Sequence, residues 1–411
     1  MPLDHSTRPA HPRRFASGAT HSIRAAVVSL CATAALIAGC ASPPPSVQVT
    51  RSSTPETTIV IQNVTVVDTA NLTTVPAMDV TIESNIITNV SPTGEAPTPT
   101  GATLISGEGA SLVPGLIDMH GHVSSATAPT WEFASPDPEG NLLAFVYSGV
   151  TTVFDPSDSS GDAFTRRDAV AAGELIGPRI YTTGQILTCE HGHPRSLIEA
   201  LAPGWIAWYL VDKVGTPVED VHDAIAEVDA LADAGADGIK IVIDQIPLEA
   251  PTLSRDVARM IVAQAKTRGL RTVAHIGTTQ DAIDAAEAGV ALWVHGVYKE
   301  RMSEAQIAEL ASYGIPMVTT SEVFDRYARS DEGPLIPTKL ERETVPASVI
   351  ESFYPSPDGF DVGTLGSWLD IMKTTRQARR DNVRRLHEAG VTILAGSDVQ
   401  SGVFPGASLH R

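Results

Sequence analysis

Short apolar segments alternate with longer amphipathic segments along most of the chain. The apolar segments are rich in β-branched residues and predict strands, whereas the amphipathic segments repeat apolar positions with the period of an α-helix. The predicted strands are Ser111–Met119, Val150–Phe154, Arg179–Thr183, Gly238–Ile243, Arg271–Ala274, Ala291–Val294, Ile315–Val318 and Val391–Ala395. The predicted helices are Asp162–Ala172, Val218–Ala234, Ser254–Arg268, Thr279–Ala288, Ser303–Ser312 and Ser367–Ala389. Strands and helices in this alternation predict a parallel sheet, and eight such strands fit an α/β fold, a (β/α)8 TIM barrel over residues 111–411.

The region before the barrel has a different pattern. Residues 58–110 contain three short, partly alternating segments, Ile59–Val67, Asp79–Glu83 and Ile86–Val90, which predict strands of a small separate sheet. A second exception is Ser321–Gly366, which is long, Pro-rich and without a clear period, as is typical of a lid or a binding loop. Few residues follow the eighth predicted strand, so we expect a barrel whose C-terminal part is truncated.

The N-terminus resembles a bacterial lipoprotein signal. Basic residues precede the short apolar segment Ala25–Ile37, and small residues directly precede Cys40. We expect residues 1–40 to be a signal peptide, with lipid attached to the Cys40 thiol, and the Pro- and Ser-rich residues 41–57 to be a flexible tether. The protein would then be exported and attached to the membrane only through this lipid. A secretory signal with an incidental cysteine and twin-arginine export are the alternatives.

Composition excludes some classes of protein. The net charge of −19 argues against a nucleic-acid partner, because such proteins need a basic surface. Three cysteines cannot form a disulfide framework.

The first candidate chemical group ends the first barrel strand. His120 and His122 are two residues apart, so in a strand their side chains point to the same side. They would lie at the carboxyl end of the strand, where active sites of TIM barrels are found. Neutral imidazoles are good ligands for Zn and similar cations, although a His-X-His pair also occurs by chance in a core.

Lys240 lies within the apolar fourth strand, where an unpaired charge is costly. One explanation is a buried salt bridge to Asp237 or Asp244. The other is that CO2 adds to the amine, giving a carbamate that bridges two cations. Desolvation favours the free amine that this addition requires.

Three further residues follow later strands. His275 ends the fifth strand, His295 the sixth, and Asp398 follows the eighth. Each residue alone fits a structural or capping role. Together with His120, His122 and Lys240, they place ligand-type side chains at the same end of five strands, which chance explains poorly.

With these motifs the chain resembles the amidohydrolase superfamily, over roughly Thr58 to Arg411. Within it, the chain most resembles the imidazolonepropionase-like and Xaa-Pro dipeptidase (prolidase-like) branch. The resemblance implies that the early strands belong to a small flanking β-sandwich. It also implies a binuclear centre of two divalent ions, Zn or alternatively Mn, Co or Ni.

The resemblance assigns roles to individual residues. His120 and His122 would bind the more buried ion, and His275 and His295 the second. Lys240, carboxylated by CO2, would bridge both ions. Asp398 would bind the buried ion and act as the catalytic acid/base.

Two residues are expected to contact substrate. His193 follows the third strand, at the place of a Gly-His pair that faces substrate in the prolidase-like branch. Tyr298 lies just past His295 and could donate a hydrogen bond to substrate.

These features predict a metal-dependent hydrolase that cleaves an amide or peptide bond in a dipeptide or N-acyl amino acid with a metal-activated water. An imidazolonepropionase-type cyclic amide hydrolase is the first alternative. A non-catalytic, lipid-anchored binding protein on a hydrolase scaffold is the second. A homo-oligomer is an expected assembly in this family.

Overall fold

The computed structural model describes residues 58–129, 131–132, 134–158, 161–329, 335–353 and 363–411. The predicted signal peptide, Cys40 and the predicted tether lie outside these residues. None of the described helices is long and apolar enough to cross a membrane.

The first part of the described chain is a small sheet. Its strands are β1 (Thr58–Asp68), β2 (Thr73–Glu83), β3 (Ile86–Pro92), β4 (Thr103–Ser106) and β5 (Ser111–Leu112). β1, β2 and β3 pair antiparallel, while β4 and β5 both pair parallel with β1. The strands predicted from alternation lie within β1, β2 and β3. Val60, Val64 and Val80 are buried, which explains the apolar positions of the pattern.

Two parallel sheets form the barrel wall. One contains β6 (Leu116–Asp118), β7 (Val150–Asp155) and β8 (Arg179–Thr182). The other contains β9 (Leu187–Thr188), β10 (Thr216–Pro217), β11 (Ile239–Val242), β12 (Thr272–His275), β13 (Leu292–Val294), β14 (Met317–Thr319) and β15 (Ile393–Ala395). Its strands are ordered β10-β9-β11-β12-β13-β14-β15.

Backbone hydrogen bonds join these two sheets on both sides. Met119 N–H donates to the Ala395 carbonyl at 3.0 Å, next to β6 and β15, and Asp237 N–H donates to the Thr182 carbonyl at 2.8 Å, between β8 and β11. The strands β6–β8 and β11–β15 therefore form the TIM barrel that the sequence predicts.

Helices follow most of the barrel strands. They are α1 (Pro138–Tyr147), α2 (Ala163–Ala172), α3 (Arg195–Leu201), α4 (Gly204–Val214), α5 (Val221–Asp233), α6 (Arg255–Thr267), α7 (Thr279–Ala288), α8 (Glu304–Ser312), α9 (Ser321–Ala328), α10 (Lys339–Thr344), α11 (Ala347–Glu351), α12 (Gly366–Thr374) and α13 (Arg376–Glu388). Capping boxes at Thr278 and Ser303 fix where α7 and α8 begin. The main core lies between these helices and β11–β14, around the fully buried Ile241, Ile261 and Trp293.

The segment expected to be a lid differs from the prediction. In its described part it contains three short helices, α9, α10 and α11. Val323 and Phe324 of α9 are buried and pack with Trp368 of α12. Helices this short have little stability of their own, so tertiary packing stabilises them and the sequence pattern alone gives little sign of them.

Candidate metal centre

Three side chains from the two ends of the barrel sequence meet at one point. His120 Nε2 lies 3.1 Å from His122 Nε2, and Asp398 Oδ1 lies 3.5 Å from the first and 3.1 Å from the second. One ligand atom from each residue falls within 4.8 Å of the others. Two ring nitrogens and a carboxylate that face one another at these distances suit a divalent cation.

Asp118 at the end of β6 holds this group together. Its Oδ1 accepts the backbone N–H of His120 at 3.1 Å and that of Ser397 at 3.0 Å. Asp398 N–H in turn donates to the His120 carbonyl at 2.6 Å. The loop after β15 is thereby fixed beside the end of β6, which explains why residues from the two ends of the barrel sequence meet.

The other predicted ligands lie beside this group. The imidazole rings of His275 and His295 have centroids 3.9 Å apart, and the His295 ring lies 4.7 Å from that of His120. Lys240 is buried on the adjacent strand, two positions before the residue that pairs with His275. The structure therefore brings together all six predicted ligand residues. Their roles as ligands stay predictions.

The structure excludes one of the two explanations for Lys240. Asp237 accepts the N–H of Thr182 and pairs with Arg167, and Asp244 pairs with Lys299. No described carboxylate forms a salt bridge with Lys240, so the buried salt bridge to Asp237 or Asp244 is wrong. Burial lowers the pKa of Lys240 to about 7, which leaves much of the amine uncharged at neutral pH.

Burial keeps most of the imidazoles uncharged. It lowers the pKa of His120 to about 3 and holds the pKa values of His275 and His295 well below the ordinary value. His122 differs, because the neighbouring carboxylates of Asp155 and Asp398 outweigh the effect of burial and raise its pKa to about 10. The neutral imidazole is the form that binds a cation, so His122 would release its proton on binding one.

One of the predicted ligand residues has a buried polar atom without a partner. His120 Nδ1 is buried and has no hydrogen-bond partner, which is rare for a buried polar atom. The side chains of His120, His122, His275, His295, Lys240 and Asp398 line one cavity. This donor set fits divalent cations.

Three residues beside the imidazoles were not predicted for this place: Thr320 and Asp155 were missed in the sequence analysis, and Asp244 was considered only as a salt-bridge partner of Lys240. Thr320 Oγ1 lies 2.8 Å from His295 Nδ1, and Asp244 Oδ2 lies 3.1 Å from His275 Nε2. Asp155 Oδ1 lies 3.6 Å from His122 Nδ1. Each follows or ends a barrel strand, so the end-of-strand signal that found the ligands could have found these residues also.

Two site residues adopt backbone conformations that side chains usually avoid. His295 has φ = 80° and Asp398 has φ = 57°, in the left-handed region. Non-glycine residues in this region carry a conformational cost and concentrate at functional sites. The surrounding hydrogen bonds hold both residues in place despite this cost.

A cavity of about 200 Å³ opens onto these side chains. Leu197 of α3, Val214 of α4 and Ile186 form its apolar wall, while Ser124 and Gln400 add polar groups. His193 also lines it, as the sequence analysis expected. The His193 Nδ1 atom is buried without a hydrogen-bond partner, and burial lowers the pKa of this residue to about 4.

Tyr298 lies behind the cavity. Its side chain is 1% exposed, its ring stacks on Phe324, and its hydroxyl donates to Asp244. Burial beside Asp244 raises the pKa of Tyr298 well above its ordinary value, so the hydroxyl remains a donor. A direct contact with substrate would require Tyr298 to leave this partner.

The fold is similar to several solved structures. A prolidase in complex with N-methylphosphonate-L-proline is 22% identical, with a TM-score of 0.62, over 85% of this chain and 80% of that chain. A Xaa-Pro dipeptidase with bound methionine in the active site is 21% identical, with a TM-score of 0.63, over 84% of this chain and 81% of that chain. A putative prolidase from Bifidobacterium longum is 20% identical, with a TM-score of 0.61, over 87% and 77%. Similarity at these identities shows the fold.

The family is shown by a match of sequence. No curated protein matches the chain significantly. The family model of the amidohydrolase family, however, matches residues 111–409, which is most of the chain. This match confirms the superfamily predicted from the sequence motifs. The chain therefore belongs to the amidohydrolase family and is a hydrolase that acts on carbon–nitrogen bonds.

Proposed function

We propose that this protein is a metal-dependent amidohydrolase that cleaves the amide or peptide bond of a small substrate such as a dipeptide or an N-acyl amino acid. The observation that carries the proposal is the convergence of His120, His122, Asp398 and the His275–His295 pair around buried Lys240, at the floor of one cavity. Membership of the amidohydrolase family supports the same chemistry.

Two divalent cations would occupy this centre, with Zn as our first choice and Mn, Co or Ni as alternatives. His120, His122 and Asp398 would hold one cation, and His275 and His295 the other. When bound, the cations would lower the pKa of a shared water and polarise the scissile carbonyl.

Lys240 would connect the two halves of the site as a carbamate. The uncharged amine nitrogen would attack the carbon of CO2, so that an N–C bond forms while one C=O π bond opens onto oxygen, and the nitrogen would release one proton to solvent, leaving a carbamate anion with two oxygen ligands. The pKa of about 7 supports this step, because an appreciable fraction of the amine is free at neutral pH.

Asp398 would move the proton of the reaction. Burial acts to raise the pKa of Asp398, but His120 and His122 outweigh it and hold the pKa well below the ordinary value. Gln400 Nε2 donates to Oδ1 at 3.1 Å and helps to orient the carboxylate. The ionised carboxylate accepts a proton from the attacking water and delivers it to the nitrogen of the leaving amine.

The cavity supports a small substrate. Its volume of about 200 Å³ and its apolar wall of Ile186, Leu197 and Val214 suit a short acyl or aminoacyl group rather than a polypeptide. The similar solved structures include a prolidase and a Xaa-Pro dipeptidase, which supports dipeptides as the first substrates to test. Export and lipid attachment at Cys40 remain part of the proposal, since they would place the enzyme where it could scavenge small peptides.

Metal analysis of the purified full chain tests the centre. We expect about two cations per chain, loss of hydrolysis after treatment with a chelator and recovery when the cation is restored. Lys240→Ala should lose most of the bound metal, and a short carboxylic acid should restore it by replacing the carbamate oxygens. If the purified protein is fully folded but contains no metal, the proposal is contradicted, and the alternative of a non-catalytic, lipid-anchored binding protein is favoured.

A substrate panel tests the chemistry. Dipeptides with C-terminal proline, other dipeptides and N-acyl amino acids should be hydrolysed. Preferential turnover of imidazolonepropionate would instead support the cyclic amide hydrolase.

A further inference from the structure

Asp244 accepts hydrogen bonds from donors on three sides although it is fully buried. It lies two residues after β11, behind His275 as seen from the cavity. Its Oδ2 lies 3.1 Å from His275 Nε2 and also accepts the hydroxyl of Tyr298. Its Oδ1 lies 2.5 Å from Lys299 Nζ and accepts the N–H of Gln245 at 2.8 Å. A buried carboxylate with this many donors is held in one orientation.

The backbone around Asp244 is shaped to hold the carboxylate. The Gly277 carbonyl accepts the N–H groups of Tyr298 and Lys299, each at 3.0 Å, so both side chains are directed to the same carboxylate. A Cβ at Gly277 would lie 2.3 Å from Asp244 Oδ1 and 2.6 Å from its Cγ. Only glycine at position 277 therefore leaves room for the carboxylate beside β12.

This arrangement decides which nitrogen of His275 carries the proton. Both oxygens of Asp244 already accept from Gln245, Tyr298 and Lys299, so the carboxylate acts as the acceptor and the Nε2 atom of His275 that faces it is the protonated one. Nδ1 is then left with its lone pair. A neighbouring carboxylate of this kind fixes both the tautomer and the orientation of an imidazole that binds a cation.

We propose that Asp244, held by Lys299 and Tyr298, is a positioning residue for the second cation and fixes His275 as the Nε2-protonated tautomer. The inference rests on the proposed function, in which His275 and His295 bind this cation. It also gives Tyr298 a role other than the predicted contact with substrate. Because outer partners of metal-binding histidines commonly change affinity by about 10- to 100-fold, loss of the Asp244 charge should weaken the second site by about this factor.

The test measures the two cation affinities separately. Metal-free full-length protein is titrated with Zn²⁺ or Mn²⁺, and bound metal is counted by elemental analysis, with circular dichroism to confirm folding. In Asp244→Asn, we expect about 10- to 100-fold weaker binding of one cation and less than about twofold change for the other. Asp237→Asn is the matched control, because Asp237 binds Arg167 and the N–H of Thr182 at the opposite end of β11 and should change neither affinity.

Two further variants keep the proposal testable if Asp244→Asn does not fold. Tyr298→Phe removes one hydrogen bond to Asp244 and retains the ring, so it should weaken the same cation by about three- to tenfold. Gly277→Ala displaces the carboxylate without changing its charge and should weaken the same cation.

The outcomes separate this proposal from the proposed function. Selective loss of one cation in these variants supports the positioning role. Unchanged affinities, or equal weakening of both cations in folded variants, would overturn it. Wild-type protein that binds no cation would contradict the proposed function itself.

Discussion

The Ser397 hydroxyl donates a hydrogen bond of 2.5 Å to Asp118 Oδ2, although 279 residues separate the two in sequence. The contact is buried and joins the end of β6 to the loop after β15. His120 and Asp398, two of the predicted ligands, follow Asp118 and Ser397 closely in the chain. The geometry of the centre therefore depends on this link between the first and last strands of the barrel.

Replacing Asp118 tests this dependence. Asp118→Asn retains the shape but presents an NH2 group to backbone and hydroxyl donors, which leaves buried groups unsatisfied. We expect the free energy of unfolding to fall by about 2–3 kcal/mol, with weaker cation binding. Urea unfolding of metal-free protein and a metal titration measure the two effects. Ser397→Ala removes one donor and should cost about 1 kcal/mol; equal stability of wild type and Asp118→Asn would contradict the prediction.

Lys240 should destabilise the metal-free protein in a pH-dependent way. Its pKa is about 7 when folded and near the ordinary value of 10.5 when unfolded. Above about pH 10.5 the amine is neutral in both states, and burial carries no charge penalty. As the pH falls from there to about 7, only the unfolded chain gains the proton, so folded stability decreases by about 1.4 kcal/mol per pH unit. Below about pH 7 the penalty is constant.

Lys240→Met removes this penalty. Without metal, the variant should be more stable than wild type at pH 6 to 7, with a difference that shrinks as the pH rises towards 10. With metal present, the order should reverse, because the variant lacks the carbamate ligand. Urea unfolding at a series of pH values, with and without Zn²⁺, checks both statements. A difference in the metal-free protein that stays constant with pH would contradict the assigned cause.

His193 and His191 form a matched pair for testing contact with substrate. His193 lines the cavity with an unpartnered Nδ1, whereas His191 is exposed and pairs with Glu199 at 2.9 Å. His193→Gln should lower kcat/KM by about 10- to 100-fold without changing metal content, as loss of a hydrogen bond to a charged substrate group does. His191→Gln should have little effect. Equal activity of both variants would show that His193 does not contact substrate.

Thr320 should support the second cation through His295. Thr320→Val keeps the side-chain shape and removes the hydroxyl that lies 2.8 Å from His295 Nδ1. We expect about 10- to 100-fold weaker binding of one cation. The neighbouring Thr319, whose hydroxyl makes no hydrogen bond in the described part of the chain, gives the control Thr319→Val. Cation titrations that do not distinguish the two variants would count against the positioning role.

The sequence by itself determined the barrel and the identity of the residues at its carboxyl end. Short apolar segments between amphipathic helices predict parallel strands, and the ends of parallel strands lie on one side. His120, Lys240, His275 and Asp398 could therefore be expected to meet without knowledge of any distance. Periodicity along the chain is a local property, and the sequence displays it directly.

Tertiary structure decided which residues support that group. Asp118 accepts a hydrogen bond from Ser397, and Asp244 accepts hydrogen bonds from His275 and Tyr298. These partners lie from 31 to 279 residues apart in sequence. Such contacts depend on how loops pack after the strands have assembled, so the end-of-strand pattern can mark a residue but not the partner that it contacts. The same reason explains the difference at Tyr298. Its position just after β13 predicted a hydrogen bond to substrate, whereas packing directs its hydroxyl to Asp244. It also explains α9, since its few residues become a helix by burying Val323 and Phe324 against α12.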